Sequence, residues 1–175
     1  KLAVAAYVPR QTAARFFEIL EDTLIVHRCD AFARSARRRL VQHPRFFFFD
    51  CGVLNGVLRN FSASPDRIGA LFEHLIFTQI VHTAAALDRD IRVSSYRSSG
   101  GAEVDFIVET GREVFAVEVK ASRNVGGADL VGFKSFADFY GKPFRSIVAY
   151  MCTSSRTLRG VDILSWQDAL RELGF

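Results

Sequence analysis

Between residues 103 and 121 apolar and polar positions alternate with period two. Glu103 to Glu109 reads Glu, Val, Asp, Phe, Ile, Val, Glu; Glu113 to Ala121 reads Glu, Val, Phe, Ala, Val, Glu, Val, Lys, Ala. Such alternation, rich in β-branched and aromatic residues, predicts two strands. Thr110-Gly111 between them is a two-residue connection whose glycine tolerates positive φ, so a tight hairpin is expected. In that register Phe106 faces Phe115, Val104 faces Val117 and Asp105 faces Ala116.

One face of this hairpin is wholly apolar. The other gathers Glu103, Asp105, Glu118 and Lys120 with Ile107, Val114 and Ala116, because successive side chains alternate sides. A face that mixes acids with those apolar residues calls for a covering helix, which leaves the acids at the rim of a cleft. An amphipathic hairpin with a solvated charged face is the plainer alternative.

Helical spacing, in threes and fours, dominates elsewhere. Arg67 to Leu87 places Ile68, Leu71, Phe72, Leu75, Ile76 and Ile80 on one stripe, with Asp66 as N-cap and Glu73 beside the stripe. Shorter helices are predicted at Pro9 to Leu24, with Thr12 as cap, at Asp129 to Tyr140 and at Trp166 to Leu173. Strands are predicted at Leu24 to Val26, Ile91 to Arg97, Arg145 to Tyr150 and Val161 to Leu164. Phe46-Phe47-Phe48-Phe49, bounded by Pro44 and Gly52, reads as a strand buried on both faces. The polar stretch Asn60 to Asp66 divides a leading basic segment (1–62) from the rest (63–175). From Asp66 the order is helix, three strands, helix, strand, then a trailing strand and helix, which is an α/β architecture with helices on both faces of the sheet.

Composition narrows the classes. The 175 residues are 49% hydrophobic, enough for a core in one medium domain. No stretch has the roughly eighteen apolar residues of a membrane span, and no signal sequence opens the chain, so a cytoplasmic location with no membrane partner is expected. Three cysteines far apart fit neither a disulfide scaffold nor a thiolate metal site and are read as buried thiols. The chain starts at Lys1 with Met151 as its sole methionine, so a segment upstream is expected. Residues 1–60 hold ten Lys and Arg against five Asp and Glu, whereas the other 115 hold thirteen against fourteen. The basic end, with Arg34, Arg37, Arg38, Arg39 and Arg45, suits an acidic partner such as nucleic acid, or is an exposed linker.

The chemistry lies on the hairpin. Asp105 and Glu118, diagonal neighbours beside Ala116, repel each other unless one takes a proton or a cation stands between them. An oxygen-seeking divalent ion, Mg²⁺ or Mn²⁺, satisfies both, and Lys120 on the same face is placed to position or deprotonate a water. His74 and His82, eight residues apart on one helix, are about 80° out of line and read as helix-surface residues.

An acid on the second strand and acid-x-Lys on the third resembles the PD-(D/E)xK nuclease superfamily, whose restriction-endonuclease-like fold is a three-layer sandwich with an α-β-β-β-α-β core around a mixed sheet. Here a small helical, winged-helix-like basic segment would precede that core, although any αβ connection reads the same way. Pro9-Arg10-Gln11-Thr12, Leu20-Glu21-Asp22-Thr23, Phe48-Phe49-Asp50-Cys51-Gly52, Gly69-Ala70-Leu71-Phe72-Glu73, Tyr96-Arg97, Glu103-Val104-Asp105-Phe106 and Glu118-Val119-Lys120-Ala121-Ser122 together resemble the uncharacterised C-terminal domain that follows the ATPase module in a prokaryotic AAA+ ATPase family. These resemblances imply a Mg²⁺-dependent nuclease domain of an ATPase, acting on nucleic acid, DNA in the first instance. They assign catalytic roles to Asp105, Glu118, Lys120 and Glu73, and metal binding to Asp105, Glu118, Glu73 and the Val119 carbonyl. Arg97 and the Arg34 to Arg45 cluster would meet phosphates. Two departures stand out: Val104 replaces the superfamily's proline, and helix Asp129 to Tyr140 offers Lys134 and Tyr140 in place of the exonuclease branch's Gln-x-x-x-Tyr. The rival reading is a non-catalytic module that docks nucleic acid or protein to the ATPase around a vestigial site.

Overall fold

The apolar stripe of the long central helix meets a sheet whose strands are apolar on both faces, and this contact organises the molecule. The computed structural model describes residues 6–33 and 44–175. Its elements are α1 (Arg10–Asp22), β1 (Val26–Ala31), β2 (Arg45–Phe48), α2 (Cys51–Leu58), α3 (Ile68–Ala86), β3 (Arg92–Arg97), β4 (Glu103–Glu109) and β5 (Val114–Lys120). A 3₁₀ turn (Gly127–Leu130) then leads into α4 (Val131–Tyr140), followed by β6 (Arg145–Tyr150), β7 (Arg156–Leu158), β8 (Val161–Ser165) and α5 (Trp166–Glu172).

Eight strands form one mixed sheet in the order β2-β1-β3-β4-β5-β6-β8-β7. β3, β4 and β5 run antiparallel to their neighbours within that trio, whereas β5, β6 and β8 are mutually parallel. α3 and α5 cover one face, burying Phe72, Ile76, Phe77 and Ile80 with Phe106, Val108, Phe115 and Val117. α4 covers the other, burying Phe133 and Phe136 with Ile107, Ala116, Val148 and Ile163. No helix among the described residues is long and apolar enough to cross a membrane.

The leading segment joins the same sheet: β1 pairs parallel with β3 through Asp30 and Ala31, and antiparallel with β2. Phe47 of β2 stacks on Phe77 of α3 at 4.1 Å between ring centroids. Of the four consecutive phenylalanines only Phe47 is buried; Phe46 and Phe48 are half-buried and Phe49 is exposed. An edge strand has one covered face, so the expectation of burial on both faces fails there. Likewise Cys29 is buried but Cys51 and Cys152 are only partly so.

The hairpin register differs from the expected one. Phe106 pairs with Val117, Ile107 with Ala116 and Val108 with Phe115, because the turn centres on Gly111-Arg112, closed by the Thr110 amide donating to the Glu113 carbonyl at 3.1 Å. Gly111 has φ +78°, the conformation that a glycine at the first central position supplies. Sliding the turn by one residue moves the register by two, so the faces keep their parity.

Neither expected cap is used. Pro9 precedes α1 with no side-chain bond from Thr12, and Arg67 stands at the N-cap of α3. The first α3 amides are met by the preceding turn, where Arg67 and Ile68 both donate to the Ser64 carbonyl at 2.9 Å. His74 is buried, its Nε2 donating to the Phe48 carbonyl at 2.7 Å, which corrects its reading as a surface residue.

Candidate functional site

Asp105 sits where β4 breaks step with β3. Ser94 pairs with Ile107 and Tyr96 with Val104, so two steps on β3 span three on β4. That extra residue is a β-bulge, a device that re-aims side chains. Val104 consequently joins Ile107 in the core under α4, while Phe106 faces α3, and the hairpin's expected all-apolar face loses Val104. Asp105 Oδ2 accepts a hydrogen bond from the Val119 amide at 2.8 Å. Continued by one residue, the β4–β5 register sets Asp105 across from Glu118 instead of diagonal to it.

Glu118 is buried, 8% exposed. Lys120 Nζ lies 2.9 Å from its Oε1 and 3.4 Å from Asp129 Oδ1. Asp129 belongs to the 3₁₀ turn and is oriented there by the Gly126 amide, 2.9 Å from its Oδ2. On the opposite flank Arg45 of β2 forms an ion pair with Glu73 of α3. The Arg45 guanidinium also lies over the rings of Phe47 and Phe106, at 5.0 and 5.9 Å, so cation–π attraction helps to hold it.

The charges are unevenly matched. Burial pushes the Asp105 carboxyl up, to about 8, with repulsion from Glu118 and then Glu73 adding to it, against the pull of the Val119 amide and Arg45. Glu118 is also raised, chiefly by burial, with Lys120 opposing. Burial alone would make Lys120 easier to deprotonate, but its contacts with Glu118 and Asp129 outweigh burial and raise it. Lys120 is therefore a firm ammonium, and near neutral pH the Asp105–Glu118 pair holds a proton in place of a cation.

The structure thus brings together Asp105, Glu118 and Lys120. Glu73 stands one guanidinium away, and the Val119 amide is engaged with Asp105. Arg97 reaches Glu103 at 3.5 Å on the outer end of β3. Arg34, Arg37, Arg38 and Arg39 lie outside the described residues. Among the described residues no three His, Cys, Asp or Glu side chains are grouped to hold a metal ion, and Glu73 is engaged by Arg45. Sequence reading missed Arg45 as the partner of Glu73 and Asp129 as the partner of Lys120. Nothing local signals the first, 28 residues distant; an acid at the head of a predicted helix was a visible signal for the second. Beyond the 3₁₀ turn a cleft of about 420 Å³ is floored by Leu130, Phe133 and Phe144 and rimmed by Lys134 and Arg159.

Fold and site define a mixed α/β protein with a closely set carboxylate pair, one member buried, and a neighbouring lysine on its central hairpin. The chain belongs to the family described as Domain of unknown function (DUF4143), whose model matches residues 68–168. Residues 1–64 match a second family, Domain of unknown function (DUF8612). No curated protein matches the chain.

Proposed function

We propose that this chain is a divalent-cation-dependent nuclease domain of the restriction-endonuclease-like kind, serving an ATPase module. The observation that carries the reading is the Asp105–Glu118 pair: a half-buried acid and a buried one set across from each other on the hairpin, with Lys120 beside them. Such an arrangement stores repulsion that a functional ligand relieves. The site fits a hard, oxygen-seeking ion, since its donors are carboxylates. Asp105 and Glu118 would hold it, with Glu73 joining on release from Arg45. A bound Mg²⁺ or Mn²⁺ would polarise a phosphodiester and acidify a water.

The protein's own groups supply the rest. Lys120, charged and fixed between Glu118 and Asp129, stabilises negative charge developing on phosphoryl oxygens and does not serve as the base. Arg45, if released from Glu73 by a bound ion, would be available to meet phosphate.

Cleavage of single- and double-stranded DNA and RNA with Mg²⁺ or Mn²⁺ tests this. We expect cleavage that falls by two or more orders of magnitude in Asp105→Asn and Lys120→Ala, about the cost of removing one preorganised charge-stabilising group. Wild-type protein that neither cuts nor binds Mg²⁺ or Mn²⁺ in calorimetry sinks the reading. One observation favours the docking alternative: the Arg45–Glu73 ion pair neutralises the third acid. Nucleic-acid binding that persists without cleavage, and without metal, would establish it.

A further inference from the structure

His27 and His82 meet side by side, one from β1 and one from the last turns of α3. Their Nε2 atoms are 3.2 Å apart, and the rings approach edge-on with centroids 5.3 Å apart. His82 is exposed and His27 half-buried, so water reaches the pair from one side. With metal–nitrogen bonds of about 2.0–2.1 Å, nitrogens 3.2 Å apart subtend roughly 100–105° at a shared ion. That angle lies between the square-planar and tetrahedral values, the range that Cu²⁺ and Zn²⁺ accept.

We propose that His27 and His82 form a two-histidine site for a late first-row transition cation, Zn²⁺ or Cu²⁺, with water completing its coordination. Imidazole nitrogen suits these ions and not Mg²⁺, which seeks oxygen, so the site is chemically separate from Asp105 and Glu118. Both nitrogens must present lone pairs, which requires the proton of each neutral ring to sit on Nδ1. Burial, then the neighbouring His82 and His74, lowers His27, favouring the neutral ring. His74 is not a third ligand, because its Nε2 is committed to the Phe48 carbonyl. Since His27 lies in the segment matching one family and His82 in the segment matching the other, the ion would clasp the two together.

Calorimetry of metal-stripped, tag-free protein with Zn²⁺ is the test, with thermal melting alongside. One Zn²⁺ per chain is expected, raising the melting temperature with the logarithm of free Zn²⁺ once it exceeds the Kd, and both effects should vanish in His27→Ala and in His82→Ala. Cu²⁺ should give an electron paramagnetic spectrum with two coupled imidazole nitrogens. Asp105→Asn should keep Zn²⁺ binding intact, and wild-type protein should take up no Mg²⁺ at the histidines. Absent Zn²⁺ binding, or binding unchanged in both histidine variants that melt cooperatively, overturns the site and leaves a simple N–H···N hydrogen bond.

Discussion

Asp105 is a carboxyl that the fold makes unlike a carboxyl. In the unfolded chain it titrates near the ordinary value of about 3.9, whereas in the folded chain burial and its acidic neighbours push it to about 8. Between those values the folded state holds a proton that the unfolded state has lost, so stability declines as pH rises from about 4 to about 8. Asp105→Asn carries no titrating group and should flatten that decline. At pH 8 its melting temperature should exceed wild type's by at least about 2–4 °C, the shift about 1 kcal/mol gives a chain of this size. A divalent ion must displace the same proton, so wild-type affinity for Mn²⁺ should rise up to about tenfold per pH unit from pH 6 to 8. Calorimetry across that range, finding a flat affinity, would contradict this account of Asp105. The site's two acids and lysine were legible because acid-x-Lys lies on one strand with fixed alternation. Arg45 was not, because charge pairing across 28 residues leaves no periodic trace.

At the scale of elements, strands and helices with strong patterns were read to within a residue or two: α3, β3 to β6, β8 and α5. The elements that escaped have weak patterns for physical reasons. α2 contains Gly52 and Gly56 and is held by Asp50, whose carboxylate accepts the Val53 amide at 3.0 Å, a cap with little helical propensity behind it. β7 is three residues long and gains its strand form only by pairing with β8. The hairpin register slipped because both Thr110-Gly111 and Gly111-Arg112 are acceptable turn centres, and composition does not choose between them. Gly132 marks where helix and strand come closest. A Cβ there would fall 1.9 Å from the Glu103 carbonyl oxygen, and this is backbone, which cannot swing aside. Gly132→Ala should therefore force α4 off β4, destabilising the fold by at least the 1–3 kcal/mol typical of overpacking. A denaturation midpoint within error of wild type would show that α4 has more freedom than its position implies.

The whole molecule is one sheet carrying two family matches. The break between them falls at the polar stretch the sequence marks, yet β1 and β2 complete the sheet beyond β3, and Phe47 from the leading part stacks in the core. A fragment of residues 65–175 would leave the β3 edge unpaired and strip the cover from Phe77 and Phe106. Exposed strand edges of this kind pair with one another, so that fragment should be insoluble or aggregate on refolding, whereas the full chain should not; sedimentation of both decides the matter. The arrangement of helices on both sheet faces was legible from patterning, but the joining of the leading segment was not, since strand order across a sheet depends on contacts between distant residues.

The closeness of Gly132 to β4 has a mechanical side. With no clearance for even a methyl group, α4 and the start of β4 behave as one fixed jaw beside the carboxylate pair. On the other face of the sheet, α3 and β2 are joined beside the same pair by the Arg45–Glu73 ion pair. Salt weakens such a latch and leaves the hard contact untouched, so the surroundings of the two acids are held by an electrostatic clasp on one side and by hard contact on the other.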